Sequence, residues 1–600
     1  MPHNPILLFL HGVGPAPDDD WKDELELALT QVGYPDLSGV DVLTPKYSYG
    51  LRGVDDDVPL PKVTLPTPNG DEAKRNRRDF ERRRTAMEAL LGTDYRGNGF
   101  PVVDHLVPMV KNMKRFNQAD NYVNMPKVRA WVLNRIINQL PRSGRVVIVG
   151  HSLGSVIAAD LIRRLPADLE VVGMVTIGSP LAHETFHVDG LRESLTEPPA
   201  KLGWWINFWS TADLVTTRRG VSTAFPWVLD QRIQTSLEPN KVRRAHNAST
   251  YLQNDVVATA IGTALFGSRS KEIAIIERGL DVPLDYAETF ALLALRYSYL
   301  IMDGLKGDKQ DRYRDAHRQV QASAVEQIKL RATNERRLMP TAIASLAVDL
   351  TDPSSNAPEP RSPSHLSIDD AIVPLTVIAA ANVLTPFEIE VSKEAKRKAM
   401  EQLTLEMGLG RQIGSNVHDA LDDARKELQG PTNWVKWTAL GLGTAAVVAV
   451  TGGLALAAAP GLAGAAAVTS ALAAFGPGGM IGGLLTAGTL ASAGGGSIAI
   501  GLAAPTTAAT TVEAVVVNQL ATAMLRNRQG IHQDPQTWSS LAELETEVAL
   551  GLERLKVLSD KSALTVKELQ RKLDAIERAL EYLQRENLEP ENSKVTENKD

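Results

Sequence analysis

The chain has 600 residues, of which 44% are hydrophobic and 22% charged, with a formal net charge of -7 and no cysteine. That length exceeds what one hydrophobic core organises, so about two to four domains are expected. The apolar share excludes a disordered polymer, the mild acidic balance lacks the basic excess that nucleic-acid binding requires, and the missing thiols exclude disulfides and thiolate metal sites.

The start, MPHNPILLFLHG, has no basic n-region and only a short apolar run, Ile6 to Leu10, so no signal peptide is read. The expectation is a cytoplasmic chain, with membrane association left to a later segment. From Ile6 onward, short apolar blocks alternate with helical periodicity. ILLFL (6–10) is followed by a helix near Trp21 to Val32, VDVLTPKY (40–47), a helix near Lys127 to Leu140, VVIV (146–149), a helix from Ser152 to Leu165 and VVGMVTIG (171–178). Strands short enough to be buried on both faces and separated by helices predict an α/β domain over 1–266. Its sheet is expected to be doubly wound and mostly parallel.

An insertion over 48–119 interrupts that rhythm and carries KRNRRDFERRR, Lys74 to Arg84. It could act as a lid, since it follows the C-terminal end of a strand, where open α/β sheets place ligands. A solvated helix face whose arginines pair with Asp79 and Glu81 is weighted above a headgroup-binding surface.

Beyond Phe266 the texture is helical: a region over 267–350 with helices at 284–305 and 309–331, a Pro/Ser-rich linker over 351–366, and a region over 367–430 with helices at 392–407 and 417–428. A Gly/Ala-rich apolar helical hairpin is expected over 431–528, and amphipathic helices with a frayed tail over 529–600. In the last of these, Leu569, Leu573, Ile576, Leu580 and Leu583 hold a 4, 3, 4, 3 spacing, a coiled-coil or bundle seam that suggests self-association through 541–583.

The chemistry is concentrated at RVVIVGHSLGSVIAADLI (145–162). An alcohol is a weak nucleophile at neutral pH and needs a base within hydrogen-bond reach and donors for the oxyanion it creates. G-x-S-x-G at a strand-to-helix turn removes the neighbouring side chains and leaves the hydroxyl of Ser152 exposed at the rim of the sheet, with a helix N-terminus behind it.

FLHGVG (9–14), VGHSLGS (149–155), TIGSPL (176–181), NFWSTADLV (207–215) and RRAHNASTYL (243–252), in that order, resemble the lipase and serine-esterase branch of the α/β-hydrolase superfamily. The resemblance covers about the first 265 residues. It implies Ser152 as nucleophile, Asp213 as acid and His246 as base, with the backbone N–H of Leu153 as one oxyanion donor and that of Gly12 or Val13, following His11, as the second. Asp230 and Asp255 stay open as alternative acids. His11, His151 and Ser179 are expected around the pocket, His151 as packing next to the nucleophile and Ser179 as a pocket wall or a turn cap; His183 and His187 read as loop residues. No cofactor and no metal is expected, since HExxH, P-loop and dinucleotide patterns are missing.

From Trp437 to Val512 there is no charged residue. Trp437 to Ala459 is long enough to cross a bilayer, Trp434 and Trp437 sit at one boundary, and Lys436, Arg526 and Arg528 put positive charge on both flanks, as for an even number of crossings. Gly478-xxx-Gly482 and Gly479-xxx-Gly483 suit close helix approach in lipid. A buried soluble core of small-residue helices is weighed equally.

The expectation is therefore a serine ester hydrolase cleaving a lipid or lipid-like acyl ester, at a membrane if 437–512 engages one. Two rivals stand beside it: a membrane-perturbing effector whose α/β domain only recognises a partner, and an acyltransferase using the same triad.

Overall fold

A computed structural model describes residues 5–13, 20–65, 70–92, 97, 117–234, 245–267, 284–334, 337–363, 366–428, 502–505 and 507–589. The chain divides into two compact units, residues 1–274 with 349–354, and residues 275–348 with 355–600.

The first unit is built on six strands: β1 (Ile6–Leu10), β2 (Val42–Leu43), β3 (Ser143–His151), β4 (Asp168–Ile177), β5 (Trp205–Ser210) and β6 (Leu229–Ile233). They run in the order β2-β1-β3-β4-β5-β6, and every pairing is parallel. Strand β2 is shorter than VDVLTPKY suggests because Pro45, two residues after Leu43, has no N–H to give the ladder.

Side-chain alternation sorts the sheet into two faces. Leu8, Leu10, Val146 and Ile148 meet α4 (Pro126–Ile137) and α5 (Leu153–Leu161) through Val132, Ile136, Val156 and Ile157. Leu7, Phe9, Val147 and Val149 meet α1 (Asp20–Gln31) and α7 (Asp255–Phe266) through Leu25, Leu29, Val257 and Ile261. Helices thus cover both faces. The chain goes outward from β1 to β2 and then crosses β1 to reach β3, so the strand order reverses between β1 and β3. A crevice is expected outside the carboxyl ends of those two strands.

The basic run of the insertion lies on α2 (Gly70–Leu91). Phe80 packs edge-on against Trp227 with centroids 5.4 Å apart, and Arg83 Nε donates to the carbonyl of Gly203 at 2.8 Å, ahead of β5. Gln231 of β6 donates to the Gly92 carbonyl at 2.8 Å. Helix α2 is therefore anchored along the edge strand β6 and at the start of β5; residues 66–69, 93–96 and 98–116 of the expected lid lie outside the described residues. Its charges pair as a solvated face: Arg77 with Glu81 at 2.8 Å, Arg84 with Glu81 at 3.6 Å and Lys74 with Asp71 at 3.6 Å. Such exposed pairs contribute little each.

Residues 59–65 strap across the end of α5. Thr64 donates to the Leu165 carbonyl at 2.6 Å, and Arg164 reaches the carbonyl of Pro61. Beneath them Asp160, fully buried, accepts two bonds from Arg129 at 2.6 and 3.0 Å, one from Arg164 at 3.1 Å, one from Arg163, and one from the Tyr122 hydroxyl at 3.1 Å, α3 (Asn117–Asn124) supplying the last. Burial pushes this carboxyl up, but the guanidiniums outweigh it and hold it at about 2.

The second unit is helical: α8 (Tyr286–Asp303), α9 (Gly307–Asn334), α10 (Ile368–Ala380), α11 (Lys393–Glu406), α12 (Arg411–Leu428), α13 (Ala509–Arg528), α14 (Pro535–Leu558) and α15 (Leu564–Arg585). They share one core, so the expected partition at 351–366 is not a structural boundary between helical regions. That Pro/Ser segment is strapped to α8 and α9. Arg318 donates to Ser355 O at 2.8 Å, Gln321 to Pro358 O at 2.9 Å, and Arg296 to Pro360 O at 3.1 Å.

The 4, 3, 4, 3 seam on α15 is used inside the chain. Leu569, Ile576, Leu580 and Leu583 are buried, and α15 packs on α12, α13 and α14. Of the expected apolar hairpin, only 502–505 and 507–528 are described. Most of the latter is α13, whose buried Glu513 pairs with Arg571 at 2.6 Å. Among the described residues no helix is long and apolar enough to cross a membrane; residues 429–501 lie outside them.

Candidate active site

Ser152 sits between β3 and α5 with φ 52° and ψ -122°, a conformation that L-residues rarely adopt and that costs roughly 1–3 kcal/mol. It is held there by its own amide, which donates to the Ile177 carbonyl of β4 at 3.1 Å, and by Ser155, whose hydroxyl donates to Ser152 O at 2.6 Å. The turn is tight because Gly154 has no side chain. A Cβ there would fall 1.9 Å from the carbonyl oxygen of Leu10 at the end of β1. The same contact draws the loop after β1 against the nucleophile turn, so that a Cβ on Gly12 would sit 2.9 Å from Ser152 Cβ and 3.4 Å from its Oγ. Gly12 thus borders the hydroxyl, and Leu153, as the first residue of α5, has an amide that precedes the intrahelical ladder.

The three residues singled out for the triad converge, although they are 94 and 33 positions apart along the chain. His246 Nε2 lies 2.9 Å from Ser152 Oγ, and His246 Nδ1 lies 2.8 Å from Asp213 Oδ2. Since the carboxylate only accepts, Nδ1 carries the proton, which leaves Nε2 to accept the serine O–H. Asp213 follows β5 and caps a short 3-10 turn, its Oδ1 taking the Val215 N–H at 2.9 Å. It is 1% exposed. Burial raises its carboxyl; His246, the Tyr251 hydroxyl and the Val215 amide outweigh that and leave it lowered. The sheet thus contributes Ser152 from the end of β3 and Asp213 from the loop after β5, while His246 comes from the loop before α6 (Ala248–Leu252).

The alternative acids are elsewhere. Asp230 is wholly buried and holds the backbone N–H groups of Val221 and Ser222, each at 2.9 Å, together with the Asn207 amide. Asp255 is exposed in the first turn of α7.

His151 Nε2 donates to the backbone carbonyl of His246 at 2.6 Å, tying the base-bearing loop to the nucleophile turn. Burial, then the neighbouring His246, lowers its imidazole to about 3, so it is a neutral donor rather than a base. His11 is 2% exposed, stacks on Tyr47 with centroids 4.3 Å apart, and hydrogen bonds the Gly12 carbonyl at 2.8 Å. The Tyr47 hydroxyl in turn donates to His11 O at 2.6 Å. His11 is therefore buried in the loop after β1 and held there by Tyr47. Ser179 is likewise buried, its hydroxyl donating to that of Ser155 at 2.7 Å and accepting from the Leu181 amide at 3.2 Å, so it caps a turn. His183 pairs with Thr185 and His187 with the Leu181 carbonyl, neither reaching Ser152.

One participant was not read from the sequence. Tyr251 is fully buried and its hydroxyl donates to Asp213 Oδ2 at 2.8 Å. It stands five residues after His246, and no local pattern marks it as facing the acid. Chemically, the arrangement can deprotonate a hydroxyl and hold developing charge on a neighbouring oxyanion. Among the described residues no cluster of His, Asp and Glu could hold a metal ion. No family model, no curated protein and no solved structure matches the chain.

Proposed function

We propose that this chain is a serine ester hydrolase of the α/β-hydrolase type, cleaving an acyl ester through a covalent acyl-enzyme. The observation that carries the reading is the continuous relay Ser152 Oγ to His246 Nε2 at 2.9 Å and His246 Nδ1 to Asp213 Oδ2 at 2.8 Å, built on a strained Ser152. In this reading His246 takes the Ser152 proton as Oγ attacks the ester carbonyl, and Asp213 stabilises the imidazolium. The tetrahedral oxyanion is met by the N–H of Leu153 and that of Gly12 or Val13. His246 then returns the proton to the leaving alcohol, and a water repeats the sequence to free the acid and regenerate Ser152. No cofactor enters any step.

A lipid or lipid-like substrate is the finer part of the proposal, supported by the resemblance of VGHSLGS to lipases and by the uncharged stretch 437–512 in the same chain. The test is labelling with a fluorophosphonate probe, lost in Ser152→Ala and His246→Ala, followed by turnover of nitrophenyl esters from acetate to palmitate. Absence of labelling in the folded wild type overturns the hydrolase reading. Rates that fall steadily with chain length overturn the lipid part alone. Product analysis with an added alcohol separates hydrolysis from acyl transfer.

A further inference from the structure

A carboxylate that orients a histidine has two oxygens, and here both are engaged. Asp213 Oδ1 takes the Val215 amide at 2.9 Å, while Oδ2 takes both His246 Nδ1 and the Tyr251 hydroxyl, each at 2.8 Å. Tyr251 is fully buried on α6, and its oxygen also shares a hydrogen bond with the Ser210 backbone at the end of β5, so the phenol cannot swing away without breaking both contacts. Packing alone would be served by phenylalanine. A hydroxyl placed there has to aim its proton at an acceptor, and the acceptor is the oxygen that holds the base. Above the same oxygen lies Gly178, at φ 57°, where a Cβ would come 2.9 Å from Asp213 Oδ2 and 3.2 Å from His246 Nδ1. The room around the shared oxygen is thus closed by backbone.

We propose that Tyr251 is a positioning residue of this site, a second donor to Asp213 Oδ2 that fixes the carboxylate plane and moderates how strongly Asp213 draws on His246. The inference rests on the hydrolase reading of the same site. A donor on Oδ2 takes up part of the charge that would otherwise stabilise the imidazolium. Removing it leaves a more basic carboxylate facing His246, which draws harder on the Nδ1–H. The other titratable groups facing the pair are His151, from the end of β3 with its ring centroid 4.9 Å from that of His246, and His11 behind it. Neither contacts Oδ2, so neither replaces the lost donor.

The experiment is Tyr251→Phe in the full chain, read by the pH profile of ester hydrolysis. The acid limb of kcat/KM is expected to move up by about half a pH unit and kcat to fall roughly tenfold, with KM within about twofold. In an Asp213→Asn background the same substitution should change kcat by less than about twofold, since the shared acceptor is altered. Should Tyr251→Phe fold poorly, 3,5-difluorotyrosine at position 251, a stronger donor, should move the acid limb the opposite way.

An unmoved acid limb in a folded variant, or equal losses with and without Asp213, would overturn the proposal. If the folded wild type neither labels nor turns over esters, the hydrolase reading has failed instead. The coupling is then read from the NMR titration of the residue 246 ring, assigned with His246→Ala, in wild type and Tyr251→Phe, and an identical titration in both overturns it.

Discussion

The two units bury polar groups in different ways. In the first, Asp160 gathers three guanidiniums and a phenol, and Asp213 gathers a histidine, a phenol and an amide, each carboxylate serving as a hub for several elements. In the helical unit several buried polar groups are paired or held by backbone, Glu513 with Arg571, His317 with Ser298 at 2.9 Å and Lys572 with two backbone carbonyls at 2.8 and 3.0 Å, while the start of α8 gathers a charged cluster in which Asp285 meets Arg331 and Arg337 and buried Glu288 meets Arg337. A parallel sheet ends all its strands at one rim, so loops distant in sequence must meet there. Packed helices meet along their lengths, through apolar rows. The set Ser152, His246, Asp213 and Tyr251 is therefore gathered at the sheet rim, and the helical unit is held mainly by its shared core.

Substitutions test this contrast. The largest effects fall on Ser152→Ala and His246→Ala, expected to lower kcat by about 10⁴-fold or more, to the background of binding and oxyanion stabilisation, with Asp213→Asn close behind at roughly 10⁴-fold. The melting of both units should change little in these variants, and a large loss of fold would break the distinction between relay and scaffold.

Next in size is Asp160→Asn, which leaves buried guanidiniums without their carboxylate and should cost the first unit about 3–5 kcal/mol. Calorimetry should show that unit's transition fall while the helical transition stays in place. Leu569→Ala, which removes a buried side chain from the α15 seam, should do the reverse at about 2–5 kcal/mol and leave ester turnover unchanged. Activity lost with Leu569 would show that the helical unit takes part in the chemistry.

The smallest effect concerns pH. Burial lowers the imidazole of His317 to about 4, below its ordinary 6.5. The folded state therefore keeps it neutral, and its full contribution is present above pH 6.5, where both states are neutral. As pH falls from 6.5 towards 4 the unfolded chain binds a proton that the folded one refuses, and up to about 3 kcal/mol is lost. His317→Gln should flatten that part of the helical unit's stability profile, measured by urea unfolding between pH 7 and 4.5.

Much of this was legible in the chain. The helix expected near Trp21 to Val32 runs over Asp20–Gln31, the strand expected at 171–178 overlaps Asp168–Ile177, and the helices at 392–407 and 417–428 overlap Lys393–Glu406 and Arg411–Leu428. Periodicity reports which face is buried, and that is a local property. Helix α10 was missed because its apolar residues surround it on all sides, Ala371, Ile372, Leu375, Val377 and Ile378 being buried, so no stripe appears.

What the amino-acid order alone determined was the parallel α/β character of the first unit, the helical character of the second, and Ser152, whose G-x-S-x-G turn demands a strand before it and a helix after. Only the tertiary structure decided that Asp213 and not Asp230 meets His246, that Tyr251 shares its oxygen, that α2 is anchored on the β6 side, and that the α15 seam is covered by its own chain. The reason is the range of the forces. Turn sterics and hydrophobic alternation act over a few neighbouring residues, whereas a hydrogen bond spanning 94 or 38 positions exists only once the sheet has set its strand order.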